Sequence, residues 1–544
     1  MKHFFKKKII IPVIAGMLLL TTSAFKNDFF EIAKQLEIFT TLFKELNMNY
    51  VDETNPGDLM DTAIKSMLAN LDPYTTFMNE QDVEAARINN TGDYTGIGAK
   101  IKTHKDKLVV VEPYKDYPAD KAGLKAGDEI IKVGDVLIET YKDYAGDLLK
   151  GAPNSSVEVT YKRQGKTQTA TIKRAEVEIK AVPYFSLIND KTGYIVLSKF
   201  NNKAHKETLY ALRDLKAQGA ESIVLDLRGN PGGLLNEAIK IVNLFVPKGQ
   251  LVVTTKSKVK KYNKTYYTQD EPTDLNIPVV VLINGRSASA SEIVSGALQD
   301  LDRAVVVGSR SFGKGLVQRP KILTYGTQVK ITISRYYTPS GRCIQALDYW
   351  HRDEKGEAVR VKQEQYNSFK TKNGREVFDG GGVYPDVLVG ATKKSPVATA
   401  ILDNDLVFNY ATDYYYKHNI ENIDNFEFSD SDFSDFKTYL KTANFSFETD
   451  TEKALYKAFE TATKEELNDN IEKDFNTLIS NLKQSKSDVI DENKDFLMEA
   501  LTEDIVKHYV YREGLFDYYK THDARIKKAT EILNNPAKYA EYLK

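Results

Sequence analysis

The sequence predicts a multidomain α/β protein with a layered α/β core, and three observations carry that expectation. Between residues 193 and 307, apolar strand-like runs (193–197, 222–227, 279–283, 304–307) alternate with helical stretches (202–219, 234–245). The runs are apolar throughout rather than at every second position, as for strands covered on both faces by helices. The length of 544 residues gives room for several separate cores. Changes of texture near residues 93, 174 and 394 divide the chain into segments 25–92, 93–174, 175–393 and 394–544, behind a distinct stretch at 1–24.

In that first stretch Lys2, Lys6, Lys7 and Lys8 precede an apolar run at 9–20, and Thr22-Ser23-Ala24 offers a cleavage site. This is the pattern of a secretory signal peptide. An uncleaved membrane anchor is the alternative, although the run is short of the about 20 residues a span needs. An exported protein is expected, periplasmic or anchored facing the periplasm.

From residue 28 to 46, Phe29, Ile32, Leu36, Phe39, Phe43 and Leu46 recur at helical spacing. Asn55 and Pro56 read as an N-cap and first helical residue, Leu71-Asp72-Pro73 ends that helix, and Asn79 caps a short third one to Arg87. The segment reads as serving packing or dimerisation, which leaves a homo-oligomer open.

Tyr94 to Ala99, YTGIGA, then precedes β-like runs and the stretch AGLKAGDEIIKVGD at 122–135. Glycines at 96 and 98 allow the chain at Gly96, Ile97, Gly98 and Ala99 to form either a tight turn or a nest of successive exposed backbone N–H groups. Further on, the strand 222–227 runs into Arg228-Gly229-Asn230-Pro231-Gly232-Gly233, where glycines allow N–H groups to face a cleft at close range.

The strand at 279–283 leads through Asn284-Gly285 into the serine run SASAS at 287–291 and a helical pattern through Glu292, Ile293, Val294, Ala297 and Leu298. A serine at the first turn of a helix lies where unpaired N–H groups point outward, and such donors can hold a developing oxyanion. Lys314 lies in a glycine loop, with Gln318 four residues on, and the stretch contains no histidine. GSRSFGK at 308–314 also fits a phosphate loop, but Gly315 stands where the magnesium ligand belongs and a strand-like run follows. Nucleotide binding is rejected.

Composition narrows the function further. Charged content of 28% and hydrophobic content of 42% are ordinary for a soluble globular protein. A net charge of −1 argues against general nucleic-acid affinity, and KSKVKKYNK at 256–264 reads as a solvated loop. Cys343 is the only cysteine, so no intramolecular disulfide and no cysteine metal site can form. The seven histidines lack ligand spacing, so neither metal nor cofactor is expected. Residues 350–376 read as a polar loop and SDSDFSD at 429–435 as a surface loop. Leu467, Ile471, Phe475, Leu478, Ile479 and Leu482 mark one amphipathic helix of the tail, and Phe496, Leu497, Ala500, Leu501 and Ile505 another.

Segment 93–174 resembles a PDZ domain of the bacterial, protease-associated kind. With LDPYTTFM at 71–78, LDLRGNPGG, SASASE, FGKGLVQ, YYTPSGRCIQ and GGVYPDV at 381–387, in that order, residues 30–390 resemble the carboxyl-terminal processing proteases, which are serine–lysine peptidases. The resemblance implies a crotonase/ClpP-like protease core at 175–393 with an inserted PDZ domain, between an N-terminal helical segment and a C-terminal helical extension. Position by position it implies Ser289 as nucleophile, Lys314 twenty-five residues later as general base, and Gln318 as the residue that orients it. Backbone N–H groups of Ala290 and Gly233 match the oxyanion hole, with Gly232 one residue away as substitute, and Ser287 and Ser291 are the rejected neighbours. The PDZ module would capture protein or peptide substrates by their free C-termini, with Gly96, Ile97, Gly98 and Ala99 standing where such domains hold the terminal carboxylate. The lysine must be uncharged to take the serine proton. Lowering it by about three pH units from about 10.4 takes roughly 4 kcal/mol of differential desolvation, and burial beside Phe312, Leu316 and Val317 is expected to supply it. The rival reading is a catalytically silent PDZ adaptor or chaperone, which would keep YTGIGA without needing Ser289, Lys314 and Gln318.

Overall fold

A computed structural model describes residues 29–544, apart from 105–106, 142–143, 354–355, 357, 391–394, 444 and 446; the leader-like residues 1–24 lie outside the described residues. The chain divides into two compact units, with the boundary between Phe77 and Met78. In the first, helix α1 (residues 29–49) is followed by α2 (Pro56–Ala69), whose N-cap Asn55 accepts the N–H groups of Gly57 and Asp58. The apolar residues of α1 that set its helical spacing, Phe29, Ile32, Leu36 and Phe39, are exposed.

The second unit opens with α3 (Glu80–Thr91), which Asn79 and Asp82 start with a reciprocal capping box. A β-rich module follows. Strand β1 (Asp93–Gly96) pairs with β8 (Ala175–Glu178) at its base. Between them lie β2 (Ala99–His104), β3 (Lys107–Pro113), the short helix α4 (Pro118–Lys121), β4 (Glu129–Val133), β5 (Val136–Leu137), β6 (Ser156–Arg163) and β7 (Lys166–Lys173). The sheet order is β2-β3-β4-β6-β7, so β2 is an edge strand. Leu108, Val110, Ile130, Val159 and Ile172 form this module's own core.

The central sheet runs β9 (Tyr184–Asn189), β10 (Thr192–Val196), β11 (Ser222–Asp226), β14 (Val279–Ile283), β15 (Val305–Gly308) and β22 (Val387–Leu388), with only β9 antiparallel. Alternate residues go to opposite faces. Ile195, Ile223, Leu225, Val279, Val281, Ile283 and Val306 face helices α5 (Ala204–Ala217), α6 (Leu235–Asn243) and α7 (Ala290–Asp300). Tyr194, Val196, Val224, Val280, Leu282, Val305 and Val307 share a core with Ile526, Ala529 and Ile532. Those three lie on α14 (Ala524–Leu533), so the last part of the chain closes the second face of the sheet. This double coverage is why the strands read as continuous apolar runs.

Beside this core lies an antiparallel sheet of β12 (Leu251–Lys256), β13 (Lys264–Tyr267), β16 (Leu316–Ile322) and β17 (Gln328–Tyr337). Segment 350–376, expected as loop, contains strands instead. β18 (Leu347–Arg352) pairs with β19 (Ala358–Arg360), and β20 (Ser368–Lys370) with β21 (Glu376–Phe378). Arg375 pins it to the core by pairing with Asp302 and Asp386 at 2.6 Å each. Polarity concealed these strands, because they pair in two-stranded ribbons with much of their surface in water. Residues 429–435 are likewise not a loop: Ser429 and Asp432 cap α10 (Asp430–Thr442), and Phe433 and Phe436 are buried.

The tail also contains α8 (Pro396–Asp403), α9 (Leu406–Lys417), α11 (Asp450–Lys464), α12 (Asn468–Glu492), α13 (Lys494–His522) and α15 (Pro536–Tyr542). Both helices expected at 467–482 and 496–505 are there, as parts of α12 and α13. Leu497, Leu501 and Ile505 pack against Val407, Tyr410 and Ala411 of α9 in a separate helical core. No described helix is long and apolar enough to cross a membrane.

Candidate active site

Strand β14 ends at the turn Asn284-Gly285, and the chain enters α7 through Ser289. Ser289 has φ 56° and ψ −110°, a conformation L residues rarely adopt. Its neighbours hold the turn in that shape. Ser287 Oγ donates to Leu227 O at 2.8 Å and accepts the Asn284 N–H at 3.0 Å. Ser291 Oγ donates to Asn230 O at 2.9 Å. Ser287 and Ser291 are fully buried, whereas Ser289 is half-buried at the surface of the turn.

The glycine loop after β11 lies against this turn. Ala288 N donates to Asn230 O at 3.0 Å, and Asn230 Nδ2 donates to Leu197 O at 2.7 Å. A Cβ on Gly232 would fall 2.9 Å from both Ser289 Cβ and Ala290 N, so only a glycine allows this approach. Gly232 N donates to Asn230 Oδ1 at 2.9 Å and is therefore spent. Among the described residues no protein acceptor takes Gly233 N or Ala290 N. Gly233 is seated by Phe200, whose carbonyl accepts the Leu234 N–H at 2.7 Å.

Glu292 joins this turn to the lysine loop. Its fully buried carboxylate accepts Ser289 N at 2.8 Å and Lys314 N at 2.9 Å through Oε2. Through Oε1 it accepts Gly313 N at 2.7 Å and Ser311 Oγ at 2.5 Å. Burial pushes this carboxyl above its usual range, and the four donors pull the other way. On the far side Gly315 N donates to Gln345 Oε1 at 2.7 Å, and Ala346 N donates to Gly313 O at 2.9 Å. Three successive amides around Lys314 are thus held by two side chains. Sequence reasoning passed over Glu292 as a helical residue, although its place three after Ser289 is a capping-box signal.

Lys314 is half-buried rather than enclosed. Leu316 beside it is buried and Val317 half-buried, but Phe312, expected to desolvate it, is 43% exposed. The N–H of Phe312 donates to Ser287 O at 3.0 Å. Gln318 follows an irregularity in the β16–β17 register and donates from Nε2 to Thr332 Oγ1 at 3.1 Å. Tyr336, buried on β17, donates from its hydroxyl to Ser289 O at 3.2 Å.

In the β-rich module, Ala119 N donates to Ile97 O and Tyr114 N to Gly98 O, at 2.7 and 2.9 Å, which fixes the loop from Gly96 to Ala99. Ile97, Ala99, Ile101 and Leu149 line a groove of about 290 Å³ along edge strand β2, closed on one side by Ile88 of α3. Among the described residues no cluster of potential metal ligands occurs.

Comparison with known proteins fits this layout. The family model described as "Peptidase family S41" matches residues 191–349, a PDZ domain model matches 95–173, and one described as "Probable PDZ-protease, C-terminal helical domain" matches 397–533. A carboxy-terminal-processing protease of Bartonella bacilliformis is 35% identical over 340 residues, 61% of this chain and 78% of the relative. A CtpA-like serine protease of Staphylococcus haemolyticus is 34% identical over 306 residues, 56% of this chain but only 61% of the relative's length. A solved photosystem II D1 C-terminal processing protease is 30% identical, with 60% of this chain and 91% of that one covered and a TM-score of 0.36. The chain belongs to the carboxy-terminal-processing proteases, serine-type peptidases of family S41.

Proposed function

We propose that this protein is an exported endopeptidase that captures substrates by their free C-termini and cleaves them through an acyl-enzyme on Ser289. The observation that carries the reading is the single Glu292 oxygen that accepts the N–H groups of both Ser289 and Lys314, fixing the backbones of nucleophile and base against each other. Neutral Lys314 takes the Ser289 proton as Oγ adds to the scissile carbonyl. The oxyanion is held by Gly233 N and Ala290 N. Lys314 then returns the proton to the leaving amine and the C–N bond breaks, leaving the ester. Water then adds to the ester with Lys314 again as base, the acyl C–Oγ bond breaks as Lys314 returns the proton to Ser289 Oγ, and the new C-terminal acid leaves; Gln318, anchored on Thr332, keeps the lysine side of the cleft in place.

The tail enters beside β2, whose open edge pairs with an extended peptide while the amides of Gly96 to Ala99 take its carboxylate. The groove's apolar lining suits an apolar last residue. We assign the layered core, with helices on both faces of a parallel sheet, to the crotonase/ClpP-like type and residues 1–24 to an export leader.

Incubation of the chain without its leader, and of Ser289→Ala, with an unstructured protein ending in apolar residues tests the reading. Cleavage by the first and not the second is expected, and amidating the substrate's C-terminus is expected to suppress it. Binding of free-acid tails with no cleavage by either form would instead establish the adaptor.

A further inference from the structure

The helical extension has no part in the chemistry described so far, yet one of its carboxylates reaches the root of the glycine loop. Arg228 follows β11 by two residues and immediately precedes Gly229-Asn230-Pro231-Gly232-Gly233. Its guanidinium donates from Nη2 to Asp226 Oδ2 at 2.6 Å and from Nη1 to Asp523 Oδ2 at 2.7 Å. The arginine side chain is 11% exposed and each aspartate 4%. The Tyr519 ring lies 5.5 Å from the guanidinium, and Tyr194 donates its hydroxyl to Asp226 Oδ2 at 2.8 Å.

Asp523 is divided between two tasks. Oδ1 accepts the N–H groups of Arg525 and Ile526 and so caps α14, which leaves Oδ2 for Arg228. Burial disfavours the Asp523 carboxylate, but Arg228 and Arg525 together hold its pKa below the usual range. The carboxylate therefore stays charged and fixes the arginine, and the arginine fixes where the loop departs from the sheet. From there the contacts run on without a gap. Gly229 N donates to Asn284 Oδ1 at 3.1 Å, Asn230 O accepts Ala288 N and Ser291 Oγ, and Gly232 touches Ser289.

We propose that Asp523 is a positioning residue of the peptidase, supplied by the helical extension, which acts through Arg228 to hold the glycine loop in the conformation that aims Gly233 N at the oxyanion. The extension is on this account part of the catalytic machinery and not only a wall beside it. The proposal rests on the reading of Ser289 and Gly233 given above.

The test is a double-mutant cycle on the full chain, read by steady-state cleavage. Asp523→Ala is expected to lower kcat by about 10- to 100-fold with KM and tail-peptide Kd within about twofold, the signature of an interaction used in the transition state. Asp523→Glu is expected to restore part of the loss. In Arg228→Lys the Asp523→Ala change should add little, because both act on one link. Should Asp523→Ala unfold by uncapping α14, Asp523→Asn keeps a good cap while removing the charge, and it should lose kcat while remaining folded at the assay temperature with its tail-peptide Kd unchanged. A kcat within about threefold of the parent for both Asp523→Ala and Asp523→Asn, or losses that multiply across the cycle, would overturn the proposal. Full activity in Ser289→Ala would instead sink the underlying peptidase reading, so the two failures are told apart.

Discussion

Glu292 accepts the backbone N–H of Lys314 at 2.9 Å through the same oxygen that accepts the N–H of Ser289 at 2.8 Å. The carboxylate is fully buried, and its hydrogen-bond donors besides Ser289 are Ser311, Gly313 and Lys314. It needs all of its acceptor capacity, which sets up the first prediction.

Glu292→Gln turns one acceptor oxygen into a donor that faces N–H groups. A buried donor left unpaired costs about 1–3 kcal/mol, and two chain segments depend on this one. We expect kcat to fall by at least about 100-fold with a smaller change in KM, measured on a tail-bearing peptide.

Gly232→Ala places a methyl group 2.7 Å from Ala288 O and 2.9 Å from Ser289 Cβ, at φ +96°. The loop must move away from Ser289. Activity should drop by about two to three orders of magnitude, the scale for loss of an oxyanion donor, while the tail-peptide Kd is unchanged. Gly233→Ala meets Phe200 O at 2.3 Å and should also lower the melting temperature.

Gly98 tests the recognition module independently. A Cβ there would lie 2.4 Å from Tyr117 Cβ, at φ +73°. Gly98→Val should weaken binding of a free-acid peptide by at least about tenfold (roughly 1.4 kcal/mol), measured by fluorescence anisotropy, because the loop can no longer present its amides.

Asp523 gives a pH dependence with a definite sign. Its folded pKa lies below the ordinary 3.8, so it stabilises the fold above about pH 3.8, and that contribution is lost as pH falls through the lower folded value. Asp523→Asn lacks this titration. The difference in unfolding free energy between parent and variant, measured by denaturant titration, should be constant from pH 7 to about pH 5 and shrink below about pH 4.

Much of this molecule was legible in its residues. The runs at 222–227 and 279–283 identified buried parallel strands, Asn79 announced a capped helix, and the glycine pattern at 229–233 marked a close backbone approach. The order of motifs, through the resemblance it carries, nominated Ser289, Lys314 and Gln318 as candidates. The ribbons at 350–376 were missed since two-stranded pairing buries too little to leave an apolar signature, and Lys314, expected to be buried beside Phe312, is half-buried, with Phe312 itself exposed.

Local pattern by itself determined the strands, the caps, the glycine turns and the types of residue available for chemistry. Only the tertiary structure decided that Glu292 joins two loops, that α14 closes the second face of the sheet, and that Asp523 meets Arg228 across 295 residues of chain. Such pairings arise where separate elements pack against one another, and a charge that finds its partner only through packing leaves no periodicity in the sequence to announce it.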